Sequence, residues 1–193
     1  MKYIRQAAGL LLVLTAVCGG LYPLAVTGTA QSLFPSQANG SIIYINNVPV
    51  GSRLIGQEFT ADRYFSGRPS ASGYDGLRSG GTNWGAASRE LKEAAEQTAA
   101  QFRERNGLGA DDSVPAEAVT RSASGLDPHT SPQAVYAQVK RVAAARHMDE
   151  AALYQLISRH TEPETLGIIG QARVNVLELN IALDALQLDN EQR

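Results

Sequence analysis

The amino-acid sequence predicts an α+β protein, with one N-terminal transmembrane helix followed by a single extracytoplasmic α/β domain of several helices and a small sheet. Three observations carry this prediction. An uncharged, largely apolar run covers residues 7–26. A short run of β-forming residues at 42–45 ends in Asn-Asn, which favours a hairpin turn. Beyond residue 87, apolar residues recur at helical spacing between capping residues.

The uncharged run has the length of a membrane-spanning helix. A helix rises ~1.5 Å per residue, so about 20 residues cross a hydrocarbon core of ~30 Å. Lys2 and Arg5 precede the run, and the next basic residue is Arg53. Because cationic flanks stay on the cytoplasmic side, we expect the N-terminus inside and almost all of the chain outside. The expected location is the inner or plasma membrane, crossed once, with a periplasmic or extracellular domain.

This topology divides the chain into a cytoplasmic N-terminus at 1–6, a transmembrane helix at 7–28 and an external domain at 29–193. A cleaved signal peptide is one rival interpretation, since 28–30 is a small-residue cleavage site. The run is, however, longer than the roughly 7–15 apolar residues of a signal peptide. A lipoprotein signal is the other rival, but Cys18 lies too deep in the run. We therefore favour a retained anchor that Pro23 bends near its outer end.

Composition limits the function of the external part. Without Lys2 and Arg5, the 17 basic residues of the chain fall to 15 against 19 acidic residues, a net charge of −4. This acidic balance argues against nucleic acid as a partner. Cys18 is the only cysteine, so no disulfide within the chain is possible and packing alone must hold the domain.

The first part of the external region predicts a connector and a hairpin. Polar residues with Pro and Gly at 31–40 indicate a connector. A strand at 42–45 turns at Asn46 and Asn47, which tolerate positive φ, and 48–59 returns along it. Pro49 restricts part of the returning strand to a sheet edge.

Residues 66–85 form a glycine-rich stretch without aliphatic periodicity, and we call it the Arg68 loop. A loop of this length inside a compact domain is usually functional or disordered. Aromatic residues in and before it favour an ordered loop, and these are Tyr64, Phe65, Tyr74 and Trp84. We expect Arg68 and Trp84 to contact a partner, because Arg and aromatic side chains are enriched at interface hot spots.

The remainder of the chain is predicted to be helical. Helices are expected from Ser88 to 106–107, from Pro115 to Val119, after Ser131-Pro132, and after Asp149. Their apolar faces hold Leu91, Ala95, Thr98 and Phe102; Val135, Val139, Val142 and Ala143; and Leu153, Leu156, Ile157 and His160. Residues 173–188 are ambiguous, because Val174 and Val176 alternate as in a strand while the later leucines have helical spacing.

Motifs that would carry chemistry are incomplete. The sequence has no P-loop, no H-E-x-x-H zinc motif and no G-x-S-x-G elbow. Asp127 and His129 could place a carboxylate beside an imidazole, but a structural break before Ser131 is the favoured interpretation. In the anchor, Thr15/Gly19 and Ala16/Gly20 are small-xxx-small pairs, which let helices approach closely in lipid. We expect Ala16 and Gly20 to face a partner helix.

Several short segments occur together in a characteristic order: 51–59, 64–65, 68–71, 79–83 with Gly85, 114–115, 124–129 with 131–132, 141–143, 161–162, 166–167, and 173–177 with 179–180. Together they resemble the KdpC subunits of Kdp potassium-transporting P-type ATPases. The resemblance extends from the anchor to about residue 184. The chain departs from the family pattern at Trp84, at 86–88 and at Ala172.

The resemblance implies an accessory subunit beside the channel-like KdpA, the ATP-hydrolysing KdpB and the small KdpF. It implies no cofactor or metal of the chain's own and no catalytic residues, because ATP and potassium are handled by the complex. The family is also described as a chaperone that raises ATP affinity through a loop matching Ser79, Gly80, Gly81 and Asn83. Because the predicted topology places this loop across the membrane from cytoplasmic ATP, we favour assembly and external gating. The alternatives are a stand-alone membrane-anchored binding or scaffold protein, and a cleaved secreted hydrolase that uses Asp127 and His129.

Overall fold

The computed structural model describes residues 1–191 of the chain. The described chain separates into two compact units, Met1–Ser52 and a second unit that begins at Arg53. The first unit contains a long helical stretch and a hairpin, and the second contains the remaining helices and a small sheet. The α+β class expected from the sequence is therefore confirmed.

The helical stretch consists of α1 (Lys2–Ala16), a π-helical turn (Val17–Leu21) and α2 (Tyr22–Leu33). It spans Lys2–Leu33 and contains an 18-residue stretch with a mean hydropathy of 2.0 and no buried part, so its length and composition suit a membrane crossing. The π-helical turn lies directly before Pro23. Proline lacks an N–H and crowds the carbonyl four residues earlier, and a wider turn at that point accommodates it.

The predicted connector at 31–40 is wrong over much of its length. Helix α2 continues to Leu33, and a one-turn helix α3 (Pro35–Ala38) follows it. Pro35 suits the first position of a helix, and the Asn39 amide donates to the Pro35 carbonyl at 2.7 Å. The chain leaves helical geometry at Gly40, whose φ is +84°.

The predicted hairpin is confirmed. Strand β1 (Ile42–Ile45) pairs antiparallel with β2 (Val48–Ser52), and both Asn46 and Asn47 have positive φ, as a two-residue turn of this kind requires. The register shifts between Ile43 and Tyr44, close to Pro49. The returning strand ends at Ser52, earlier than the expected residue 59.

The second unit packs helices against a three-stranded sheet. Its helices are α4 (Arg89–Asn106), α5 (Ala116–Val119), α6 (Pro132–Tyr136), α7 (Val139–Arg146), α8 (Glu150–His160) and α9 (Val176–Glu191). Its strands are β3 (His129–Thr130), β4 (Thr161–Glu162) and β5 (Arg173–Asn175). The strand order is β3-β5-β4, and both pairs are antiparallel. The core lies between α6, α7, α8, α9 and β5.

Three helix starts predicted from capping residues are confirmed. The Ser88 hydroxyl accepts from the Leu91 N–H at 3.2 Å, the Ser131 hydroxyl caps α6, and the Asp149 carboxylate caps α8. Each cap satisfies an amide that has no partner inside its helix. Gly107 ends α4 with a φ of +64°. The apolar stripe after Ser131 is shared by two short helices rather than one, because helical geometry is interrupted between α6 and α7.

The ambiguous segment after residue 172 contains both predicted structures. Val174 is fully buried in β5, and α9 begins directly at Val176. The Val176 N–H donates to the Pro128 carbonyl at 3.0 Å, so the helix start lies beside the segment that leads into β3. Leu179 and Leu183 then enter the core on one face of α9.

Candidate functional site

A long segment without helix or strand, from residue 53 to 88, carries the Arg68 loop. It is attached to the helical core at Phe65, whose ring is fully buried. The buried Asn180 amide on α9 binds both backbone groups of Phe65, accepting its N–H at 2.9 Å and donating to its carbonyl at 2.8 Å. The Asn180 side chain therefore supplies the hydrogen-bond partners of the buried Phe65 N–H and carbonyl, which lie outside any helix or strand.

Gln138 and Arg141 hold the residues on either side of Phe65. The Gln138 side chain accepts from the Ser66 N–H at 2.8 Å and donates to the Ser66 carbonyl at 3.0 Å. The Arg141 guanidinium donates to the carbonyls of Asp62 and Tyr64 and, at 2.8 Å, to the Gln138 side chain. Burial, together with the nearby Arg105 charge, lowers the pKa of Arg141 to about 10, so the group stays charged at neutral pH.

Arg146 forms a second buried attachment. Its side chain is 1% exposed, pairs with the Asp184 carboxylate at 2.7 Å and donates to the Arg63 carbonyl at 2.6 Å. The guanidinium also lies 4.9 Å from the centroid of the Tyr64 ring. The segment 62–64, which leads into the Arg68 loop, is thus fixed by charged groups from α7 and α9.

Arg68 connects its loop to the segment 120–129. The guanidinium lies 3.2 Å from the Asp127 carboxylate and 3.4 Å from the Thr120 carbonyl. The Tyr74 hydroxyl donates to the Arg68 carbonyl, and burial raises the pKa of Tyr74 to about 12 with help from the Glu58 charge. Tyr74 therefore remains a hydrogen-bond donor at neutral pH.

Asp127 is an ionised partner of Arg68. Burial opposes its ionisation, but the neighbouring His129, whose backbone N–H donates to the carboxylate at 3.0 Å, and the charge of Arg68 outweigh burial and lower the pKa of Asp127. A lowered pKa in the folded state gives stability that is complete above the ordinary carboxyl pKa. That stability is lost as the pH falls through the folded-state value.

The Ser-Gly-Gly stretch of the loop packs on the same segment. The Gly80 N–H donates to the Ser124 carbonyl at 2.8 Å, and the Ser79 hydroxyl donates to the same carbonyl at 3.2 Å. A Cβ atom on Gly81 would lie 3.1 Å from the Ala123 carbonyl oxygen. Two of the donors that could contact a phosphate are therefore engaged within the chain. Asn83 is exposed and has a φ of +53°.

Trp84 is the more accessible of the two residues expected to contact a partner. The residue as a whole is 38% exposed, and the Arg121 guanidinium lies 5.3 Å from the centroid of its ring system. The Arg68 side chain is 21% exposed, and its charge is already paired. The two aromatic residues differ in burial: Phe65, directly before the loop, enters the core, whereas Trp84 stays at the surface.

Asp127 and His129 lie side by side, and the Asp127 carboxylate also pairs with Arg68. Their closest side-chain atoms, Nδ1 of His129 and Oδ1 of Asp127, are 3.7 Å apart, and Arg68 takes the other carboxylate oxygen. They share a depression of about 250 Å³ with Glu117 and Arg173. Within residues 1–191, no group of three His, Cys, Asp or Glu side chains is placed to hold a metal ion.

The small residues of the anchor lie on an uncovered helix. Ala16 is exposed and Gly20 lies in the π-helical turn. A Cβ atom on Gly20 would meet nothing of the chain within 4 Å, and one on Gly19 would reach only the Thr15 methyl at 4.0 Å. The chain itself therefore leaves this face open.

Sequence reasoning missed the buried polar attachments. Arg141 and Asn180 were recognised only as parts of segments shared with a family, without a structural role. Charged and amide residues at otherwise apolar helix positions were the available signal. Their partners lie far away in sequence, with Asp62 79 residues from Arg141 and Phe65 115 residues from Asn180.

Comparison with known proteins matches residues 4–185 to the family described as KdpC, the K⁺-transporting ATPase c chain. Proteins named potassium-transporting ATPase KdpC subunit are similar over nearly their whole length. The one from Allorhizobium ampelinum is 50% identical, over 96% of this chain and 97% of its own. Those from Geobacter sulfurreducens and Caldanaerobacter subterraneus are 46% and 45% identical, covering 96% and 93% of this chain and 99% and 93% of their own. The resemblance seen in the sequence is confirmed, and the chain belongs to the KdpC family.

Proposed function

We propose that this chain is a non-catalytic, membrane-anchored subunit of a potassium-transporting ATPase complex. One observation carries the proposal: the family match runs through both the anchor and the domain, from residue 4 to residue 185. The similarity therefore covers the whole design of a helix joined to a folded domain. Proteins with this design are named as ATPase subunits.

The anchor supports membrane attachment and assembly. Most of its 32 residues are apolar, and none is buried within the chain, so the apolar part needs lipid or another helix as a covering. Lys2 and Arg5 at its start favour a cytoplasmic N-terminus and a domain on the outer side of the inner or plasma membrane. In lipid, the face with Ala16 and Gly20 would let a helix of KdpA, KdpB or KdpF approach closely.

The structure of the domain supports a role in contacting another subunit. Asn180, Gln138, Arg141 and Arg146 fasten the entry to the Arg68 loop at residues 63–66. Within the loop, the Arg68–Asp127 pair and the Gly80 N–H bonded to the Ser124 carbonyl hold it against the segment 120–129. A preorganised surface loses little conformational freedom when it binds. Trp84 offers an aromatic anchor on that surface. We propose that this loop contacts KdpA near the potassium entrance, supporting assembly and external gating.

A role in ATP affinity is the second candidate, because the family resemblance assigns one to the loop at Ser79, Gly80, Gly81 and Asn83. Direct nucleotide contact would need free backbone donors on the cytoplasmic side. The proposed topology and the engaged Gly80 amide favour the contact role instead.

Gly20→Leu tests the anchor. The chain has room for the larger side chain, so its own folding should be unaffected. A leucine on the small face should hold a partner helix away and lower co-purification of the other subunits in detergent several-fold. Circular dichroism and limited proteolysis would monitor the domain.

Cys18→Leu is the matched control for this experiment. Position 18 lies two residues away, on the opposite side of the same turn, and its side chain is exposed. Assembly should survive this change. Equal co-purification of the Gly20→Leu and wild-type chains would contradict the proposed helix contact.

A further inference from the structure

The loop between β4 and β5 exposes three large aliphatic side chains. Leu166 is 85% exposed, Ile168 is 83% exposed and Ile169 is 58% exposed. The loop is a hairpin extension, because Thr165 and Ile169 exchange backbone hydrogen bonds of 2.9 and 3.0 Å. We call residues 165–169 the hairpin tip. A cluster of exposed aliphatic residues on an ordered turn marks an interaction site.

The backbone of the hairpin tip is unfavourable for its own sequence. Leu166 has a φ of +57°, a conformation that asparagine or glycine adopts more readily than leucine. Gly167 follows with a φ of +71°. An exposed leucine at such a position gains nothing for the fold of the chain itself. Strain of this kind is characteristic of sites that serve binding.

The composition around the hairpin tip favours a protein partner over a membrane surface. Residues 163–172 contain no Lys, Arg, Trp or Tyr, and their one charged residue is Glu164. Segments that bind membrane surfaces use basic residues for anionic headgroups and Trp or Tyr at the interface. The hairpin tip exposes aliphatic residues, but the segment around it has neither the basic residues nor the Trp or Tyr that membrane-surface binding uses.

A carboxylate with an unsatisfied oxygen lies at the base of the same hairpin, where the chain's own Arg173 already pairs with Glu162 at 2.8 Å. Arg173 and Gln171, which follow the tip, line the 250 Å³ depression that also contains Glu117. The Glu117 Oε2 atom is buried and accepts no hydrogen bond within the described residues. A basic side chain from a bound protein, reached by a rotation of Glu117, would satisfy this acceptor.

We propose that the hairpin tip is a docking element whose aliphatic side chains insert into an apolar pocket of another protein subunit, next to a basic residue that pairs with Glu117. This proposal rests on the proposed function, because it takes the partner to be another subunit of the ATPase complex. It adds a surface separate in sequence from the Arg68 loop, formed by the turn between two strands.

Leu166→Asn tests the docking element without harming the fold. Asparagine suits the positive φ of this position, so the melting temperature of the full chain should stay equal or rise slightly. Loss of a buried aliphatic anchor should weaken binding to a complex that lacks this chain by about tenfold. Leu54→Asn is the control, since Leu54 is 56% exposed and lies outside the hairpin tip and the Arg68 loop. It should bind as the wild type does.

The bound neighbour can be identified by crosslinking in the full complex. Cys18 is the only cysteine, so Cys18→Ser gives a background in which Leu166→Cys can carry a benzophenone maleimide. We expect light-induced crosslinks from residue 166 to another subunit, and few from a Leu54→Cys control. Crosslinks to lipid, to a second copy of this chain or to no protein would overturn the proposal.

Failure of this inference can be told apart from failure of the proposed function. If the wild-type chain does not co-purify with the other subunits, the proposed function is wrong. If the wild-type chain assembles and Leu166→Asn assembles with equal affinity, only the docking role of the hairpin tip is wrong.

Discussion

Gly56→Ala is expected to destabilise the domain by roughly 3 kcal/mol, the upper part of the range for overpacking. Gly56 is buried, and a Cβ atom there would lie 2.5 Å from the Asp127 carbonyl oxygen and 3.2 Å from that of Leu126. Both neighbours are backbone atoms that cannot rotate away. The Gly56 N–H also donates to the Leu126 carbonyl at 2.8 Å, and this hydrogen bond joins the segment around residue 56 to the segment 120–129.

Thermal unfolding of the full chain in detergent, followed by fluorescence of its single tryptophan, measures the effect of Gly56→Ala. A loss of this size corresponds to a melting temperature lower by about 10 °C. Gly76→Ala is the matched control, because a Cβ atom on Gly76 meets nothing within 4 Å. Equal melting temperatures for the two variants would show that the close approach of Gly56 to Asp127 is wrong.

Arg141→Met is expected to cost roughly 2–4 kcal/mol, because it removes the donor of several buried acceptors at once. Its side chain is 6% exposed and donates to four groups. Methionine has a similar length and fills the space, but it leaves the Asn106 side-chain oxygen and the Tyr64 carbonyl without this donor, while the Gln138 oxygen keeps the Ser66 N–H. Each buried acceptor left unsatisfied costs about 1–3 kcal/mol.

Urea unfolding would measure the loss in the free energy of unfolding of Arg141→Met, and hydrogen exchange would measure local opening at residues 62–66. Exchange in this segment should accelerate more than exchange in α8, because the arginine fixes the segment directly. Lys140→Met, at the exposed neighbouring position, is the control and should be close to neutral. A change of less than about 1 kcal/mol in Arg141→Met would contradict the structural role assigned to this arginine.

Local signals explain which elements were predictable. The Asn46-Asn47 turn, the Ser88 and Asp149 caps and Gly107 act within a few residues, so their sequence pattern specifies the geometry. The connector predicted at 31–40 was wrong because polar composition was weighed above Pro35, which favours a helix start. The short strand at Arg173–Asn175 was ambiguous, since three residues are too few for a period.

The candidate site was less predictable because it is built from distant pairs. Arg68 lies 59 residues from Asp127, and Gln138 lies 72 residues from Ser66. Nothing in the local sequence specifies which acceptor a buried polar side chain will reach. The glycine-rich composition of the Arg68 loop indicated an unusual segment, but the groups that fix the loop and its entry lie far away, in the segment 120–129, at Gln138, on α7 and on α9.

The central claim is that the Arg68 loop acts through contact with another subunit, and Trp84→Ala tests it most directly. Replacing Trp84 tests contact more specifically than replacing Arg68, because loss of Arg68 would also break its ion pair with Asp127. Gly80→Ala is the companion variant for the nucleotide role, because a Cβ atom on Gly80 meets nothing within 4 Å whereas one on Gly81 approaches Ala123.

Assembly yield and the ATP concentration that gives half-maximal potassium-stimulated ATPase activity should be measured on the same purified complexes. For Trp84→Ala we expect co-purification several-fold below wild type, with an unchanged ATP requirement in the complexes that do form. For Gly80→Ala we expect both quantities to match the wild type. A raised ATP requirement in Gly80→Ala with full assembly, together with normal assembly of Trp84→Ala, would contradict the claim that the loop acts through contact.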